Sequence, residues 1–214
     1  MFNTSLKQIL EPYFLAFIAL FVAVDIIGNI PIFMAFEEGL TKKERRKIIN
    51  DSVATATLLA FGFMFLGKWL LRFIGISIAD FQIGGGALLF IIAARLLLPA
   101  NTKGLMVDSH DKDLGVFPLG TPLITGPAVL TTTLLMVDRY GTLVTFIALV
   151  VNMIIVWFAL SHTDFFNRLF GKGGMRAIAK VMYILLAAIG VMMVRRGMTT
   201  IIDSITRKVT SHGF

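Results

Sequence analysis

Hydrophobic positions fall along this chain in long unbroken runs rather than in the narrow stripes of a water-soluble helix. A helix needs ~20 apolar residues to cross the ~30 Å hydrocarbon layer of a bilayer. Runs of about that length predict spans at residues 13–36, 52–71, 81–98, 117–137, 141–160 and 177–194. Charge inside them is sparse: Asp25 in the first, Lys68 near the end of the second, Arg95 near the end of the third and Lys180 near the start of the sixth. The runs 58–66 and 144–160 have no polar face, which argues against a helical bundle folded in water. The apolar stretch after residue 12 is too long for a signal-peptide core and has no small-residue cleavage site behind it, so it reads as a retained span. The pattern therefore predicts an all-α membrane protein with six transmembrane helices. It divides into a first three-helix unit at 1–99, a polar connection at 100–116 and a second three-helix unit at 117–214.

Two of the predicted spans are interrupted, and they are the first of each half. The first carries Asp25-Ile26-Ile27-Gly28-Asn29-Ile30-Pro31, and the fourth carries Gly120-Thr121-Pro122-Leu123-Ile124-Thr125-Gly126-Pro127. Glycine loosens the backbone, while proline removes an N–H and clashes with the carbonyl four residues back. Each stretch is thus a place for one helix to stop and another to start, with Asn29 or Thr125 available to cap the new one. On this reading Asp25 lies about one turn before the first break. Three spans per half also force the halves into opposite orientations, so similar halves form inverted repeats with discontinuous first and fourth helices. The stretches Gly84-Gly85-Gly86-Ala87-Leu88-Leu89-Phe90 and Leu185-Leu186-Ala187-Ala188-Ile189-Gly190 echo each other weakly in the third and sixth spans. The glycine run by itself reads as a close helix-packing surface.

Paired broken helices near the midplane are the sequence mark of a transporter binding site. A half-helix N-terminus presents unpaired N–H groups and partial positive charge, suited to a carboxylate. Asp25, the one acid well inside a span, suits an ammonium group or a coupling cation. Thr125 and Asn152 add neutral hydrogen-bonding groups, and the pocket these residues describe fits a small zwitterion with a neutral side chain. The candidate substrate-binding residues are Asp25, Gly28, Asn29, Pro31, Pro122, Thr125, Gly126, Pro127 and Asn152, with Asp25 also the candidate for the coupling ion. Thr131, Thr132 and Thr133 are expected to bond their own helix. Lys68 and Arg95 are expected to reach for the membrane interface, and His162 and Asp164 to sit solvated at a boundary.

Composition and charge sharpen this picture. Of 214 residues, 57% are hydrophobic and 15% charged, where a soluble domain has closer to ~25% charged. Cysteine is absent, which excludes a thiol nucleophile, and the three histidines are scattered without ligand-like spacing. The spans hold no acid–base or metal cluster, so no enzymatic activity, cofactor or metal is expected. The net charge of +7 comes from basic residues between the apolar runs, which fits membrane flanks rather than nucleic acid. Twelve of the twenty basic residues, among them Lys42, Lys43, Arg45, Arg46 and Lys47, fall on one side of the predicted membrane. That side is expected to be cytoplasmic, leaving both termini outside.

The signatures Asp25-x-x-Gly28-Asn29-x-Pro31-x-Phe33 and Pro122-Leu123-x-x-Gly126-Pro127-Ala128, with the glycine-rich block from Gly84 to Phe90, resemble the MarC family of membrane proteins. The chain departs from that pattern at Ile26, where a proline is usual, and at Ala128, where a second glycine is common. The resemblance implies a six-span inner-membrane protein, in a family described as antibiotic-resistance-associated or as small neutral amino acid transporters. The function expected from residues and resemblance together is a secondary transporter of glycine- or alanine-like substrates. It would work by alternating access, with the halves rocking against each other, and draw on a proton or sodium gradient, since no phosphate-binding loop is present. A channel or facilitator for another small solute or lipid head group is the alternative. Assembly into a homo-oligomer is left open.

Overall fold

A computed structural model describes residues 2–36, 40–98 and 119–211 of the chain. Those residues are helical almost throughout, with no strand among them. The helices are α1 (Phe2–Val24), α2 (Ile26–Phe36), α3 (Lys42–Ile74), α4 (Ile78–Leu97), α5 (Pro127–Tyr140), α6 (Thr142–Ser161) and α7 (Thr163–Ser211). A short π-helical segment, Leu119–Ile124, precedes α5. The polar connection expected at 100–116 lies outside the described residues.

Among the described residues five stretches are long and apolar enough to cross a bilayer: Leu10–Met34, Lys42–Ile74, Ile78–Leu97, Thr142–Ser161 and Ala177–Arg207. The fourth predicted span, 117–137, is not one of them. It is divided between the π-helical segment and α5, whose 14 residues reach ~21 Å, short of the hydrocarbon thickness. Two spans are longer than their apolar runs. Helix α3 starts ten residues early because Thr41 and Glu44 form a capping box, the Glu44 N–H donating to Thr41 Oγ1 and the Thr41 N–H to Glu44 Oε2. It ends at Gly75, which takes the left-handed conformation (φ 78°) that a side chain would resist. Ser77 and Asp80 cap α4 in the same reciprocal way. Helix α7 is interrupted at Gly171 (φ 64°, ψ 168°), ahead of its apolar stretch.

Burial is distributed as lipid demands. Leu58 and Phe73 are 74% and 77% exposed, and Trp69, Val22 and Leu143 are likewise open, an arrangement unfavourable in water and natural against acyl chains. The interior is built from Leu20, Val24, Phe33, Ile124, Leu134, Leu149, Val156 and Leu160.

The main packing partners run between the halves. Helix α1 lies on α5 and α6, α2 on α7, and α3 on the 119–124 segment, α5 and α6. Helix α4 runs along α7 over most of its length and touches α5. Helices α3 and α6 are antiparallel. Arg45 pairs with Asp164 at one end, the Trp157 indole N–H donates to Asn50 at 3.0 Å, and the rings of Phe61 and Phe146 stack 4.8 Å apart further along. Helices α4 and α7 are antiparallel too. Gly86 and Gly190 face each other so closely that a Cβ on either would come within 2.6 Å of the other's carbonyl oxygen, and Gly197 lies against Ala79 seven residues on. This is the close backbone approach that small residues permit in membrane helices.

Candidate functional site

The first break falls at Asp25, not after Gly28. Helix α1 ends at Val24, Asp25 takes a positive φ of 49°, and α2 begins at Ile26. Aspartate tolerates that conformation better than most residues and suits the position before a helix. Its Oδ1 accepts from the Gly28 N–H at 3.2 Å, so Asp25 caps α2 itself. The carboxylate folds over Gly28, where a Cβ would lie 2.8 Å from Asp25 Cγ, so a side chain there would push the capping carboxylate aside. Asn29 does not cap the new helix. Its Nδ2 reaches back to the Val24 carbonyl at 2.7 Å and satisfies the end of the old one. Pro31 lies inside α2, removing the N–H that the Ile27 carbonyl would otherwise receive.

The second break is longer. Thr121 is extended (φ −142°, ψ 129°) between Gly120 and a cis-bonded Pro122, and the Thr125 N–H reaches the Gly120 carbonyl at 3.1 Å. Helix α5 then starts with Pro127 at its first position and Gly126 as the preceding residue, with no side-chain cap. A Cβ on Gly126 would overlap the Pro122 carbonyl oxygen, which accounts for the glycine. The cap expected of Thr125 is not made. Its side chain is fully buried and its Oγ1 has no hydrogen-bond partner.

Three further buried polar atoms share that condition: Thr121 Oγ1, Ser52 Oγ and Asn152 Oδ1. A buried polar atom left unpaired costs about 1–3 kcal/mol, so four among the described residues ask for a ligand or water. By contrast Thr131 and Thr133 donate to the Pro127 and Val129 carbonyls of their own helix, as expected. Asn152 is part glue and part orphan. Its Nδ2 donates to Ala148 at 2.8 Å and across to the Phe17 carbonyl of α1 at 3.3 Å, leaving the Oδ1 free.

The two breaks meet crosswise. Helix α1, upstream of the first break, packs on α5, downstream of the second, and the 119–124 segment packs on α2. The segment holding Asp25, Gly28, Asn29 and Pro31 and the segment holding Pro122, Thr125, Gly126 and Pro127 thus belong to elements that pack on one another, and Asn152 ties α6 to Phe17 of α1. The electrostatics of the two half-helix ends differ. The α2 end has its own carboxylate, whereas the α5 end has none and is flanked by the unpaired hydroxyl of Thr125. Ser52 and Thr121 are not among the candidates that the sequence offers: Ser52 stands at the polar edge of its span and Thr121 carries no signal beyond the Gly-Pro break around it.

Two ion pairs lie away from the breaks. Arg45 holds Asp164 with two hydrogen bonds, 2.6 and 2.7 Å, so Asp164 is not merely solvated. Lys68 pairs with Asp138 instead of only reaching for the interface. The pairs sit ~35 Å apart along α3, and each joins the first half of the chain to the second.

Comparison with known proteins agrees with this architecture. Residues 10–202 match the family model described as MarC family integral membrane protein. The UPF0056 membrane protein MJ0972 of Methanocaldococcus jannaschii is 31% identical over 93% of this chain and 92% of its own. The UPF0056 membrane protein of Archaeoglobus fulgidus is 33% identical over 87% and 92%. The UPF0056 inner membrane protein YhgN of Escherichia coli is 29% identical over 83% and 91%. No solved structure matches significantly. With its five membrane-length helices, its paired helix breaks and a family match spanning nearly its whole length, the chain belongs to the MarC family of integral membrane proteins.

Proposed function

We propose that this protein is a secondary transporter of small neutral amino acids such as glycine or alanine. The observation that carries the reading is the unequal pair of half-helix ends on two broken segments that pack on one another. The uncapped N-terminus of α5 receives the substrate carboxylate, with the Thr125 hydroxyl as a further donor. Asp25 faces the substrate ammonium or the coupling cation, a proton or sodium. An amino acid that brings one charge of each sign satisfies both ends without leaving either buried charge unmatched.

Six spans in two inverted repeats account for the fold economically. The antiparallel α3–α6 and α4–α7 pairs, the reciprocal Gly86–Gly190 contact and the crosswise packing of the broken segments all support that symmetry. The protein then sits in the inner membrane with its basic first connection in the cytoplasm and both termini outside. Rocking of one whole repeat against the other is disfavoured, because it would pull α4 from α7 along their full contact. Access alternates instead through shifts of α2 and α5 about the two breaks.

The test is uptake of labelled glycine and alanine into proteoliposomes, with and without a proton or sodium gradient, for wild type and Asp25→Asn. Asparagine also tolerates positive φ and keeps an oxygen for the Gly28 N–H, so the change isolates the charge. Wild type is expected to accumulate substrate against its gradient and the variant to lose that accumulation. Uncoupled, non-saturating movement would instead favour a facilitator, and no movement of either amino acid would defeat the substrate assignment.

A further inference from the structure

The α4–α7 pair is tied to the candidate site at one point. Gly85 and Gly86 are neighbours on α4 but face different helices. Gly86 meets the backbone of Gly190 on α7, whereas Gly85 lies against the Pro127 ring at the first position of α5. A Cβ on Gly85 would overlap two carbons of that ring, and Gly84 beside it has open space. The ring is rigid, buried and directly follows Gly126, itself pressed on the Pro122 carbonyl. Neither side of the contact has slack, so any shift of α4 moves the start of α5.

We infer that Gly85 is a positioning residue: through its contact with Pro127, the α4–α7 pair sets where the N-terminal turn of α5, and with it Thr125, stands in the site. The inference rests on the transport reading for its substrate readout, but the contact has consequences that need no substrate. A methyl group at Gly85 displaces the α5 end by a fraction of an ångström to an ångström, enough to misplace donors aimed at a carboxylate. The same methyl group at Gly84 meets nothing.

Glycine uptake into proteoliposomes by Gly85→Ala, Gly84→Ala, Pro127→Ala and Gly85→Ala/Pro127→Ala forms the test. Gly85→Ala is expected to raise KM about tenfold while changing the maximal rate less, and Gly84→Ala to match wild type. With the ring gone, adding Gly85→Ala to Pro127→Ala is expected to change KM little. A second readout uses the absence of cysteine. In a Thr125→Cys background, Gly85→Ala should change the rate of maleimide labelling several-fold and Gly84→Ala should not. Labelling decides the matter even if wild type moves no glycine, which would sink the transport reading alone. Equal behaviour of the Gly85 and Gly84 variants in KM and labelling would overturn the inference. Should Gly85→Ala fail to fold, recovery of folding by Pro127→Ala supports it, and failure of the double variant refutes it.

Discussion

At the scale of single residues, the site is defined by what is left unpaired. Asp25, Gly28 and Asn29 close their own break: one caps the new helix, one makes room for the cap and one satisfies the old helix end. Thr125 does nothing comparable, since its buried hydroxyl bonds to no atom of the described residues. A structural hydroxyl and a ligand-binding one respond oppositely to removal. Thr125→Val keeps the shape and deletes an unsatisfied group, so thermal unfolding of the detergent-purified protein should show stability unchanged or raised by up to ~1 kcal/mol. Glycine affinity should fall about tenfold, the worth of one hydrogen bond to a charged group. Lower stability with unchanged affinity would mean that the hydroxyl serves the fold. Sequence offered Thr125 both as a cap and as a pocket hydroxyl, and the cap is not made. A threonine before Gly-Pro is a plausible cap on paper, and the extended Gly126 after it takes the capping position instead.

At the scale of elements, the helices and their interruptions were legible because apolar run length and Gly/Pro placement set them directly. Their ends were less so. Helix α3 outruns its apolar stretch by virtue of Thr41, Glu44 and Gly75, local devices that a hydropathy reading passes over. The break of the fourth span was legible, but not its extent: Thr121 and Gly126 divide the span into pieces too short to cross alone. Pairing between distant helices was not legible at all, as with Arg45 and Asp164, which are 119 residues apart. That pair has a definite pH signature. The Arg45 guanidinium beside Asp164 holds its carboxyl below the usual carboxylate range. A carboxyl lowered by folding stabilises the folded state above its unfolded value, ~3.9, and the contribution disappears as pH falls through the depressed value. With the Asp164 side chain 56% exposed, solvent screening limits it to at most ~1 kcal/mol. The stability difference between wild type and Asp164→Asn should therefore be level above pH ~5 and shrink below pH ~4. A difference that persists undiminished to pH ~2 would mean that something other than the ionised carboxylate is being measured.

At the scale of the whole molecule, the proposed function rests on how two broken helices are held against each other. Sequence showed that the breaks existed and sat at matching places in the two halves. It did not show that α1 would meet α5 while the 119–124 segment met α2, nor that α4 and α7 would lock the halves together through Gly86 and Gly190. Those contacts join residues about a hundred positions apart, and no local pattern encodes them. They are also what favours the proposed mechanism, in which interleaved halves leave the short segments around the breaks as the parts that shift. The central claim is that the crossing recognises both ends of a small zwitterion, the carboxylate at α5 and the amine at Asp25. The most direct measurement is equilibrium binding of glycine, acetate and methylamine to the purified wild-type protein. The account predicts saturable binding of glycine, with acetate and methylamine each weakened at least about a hundredfold because each leaves one charged or dipolar end unmatched. Methylamine or acetate binding as tightly as glycine, or no glycine binding at all, would contradict it.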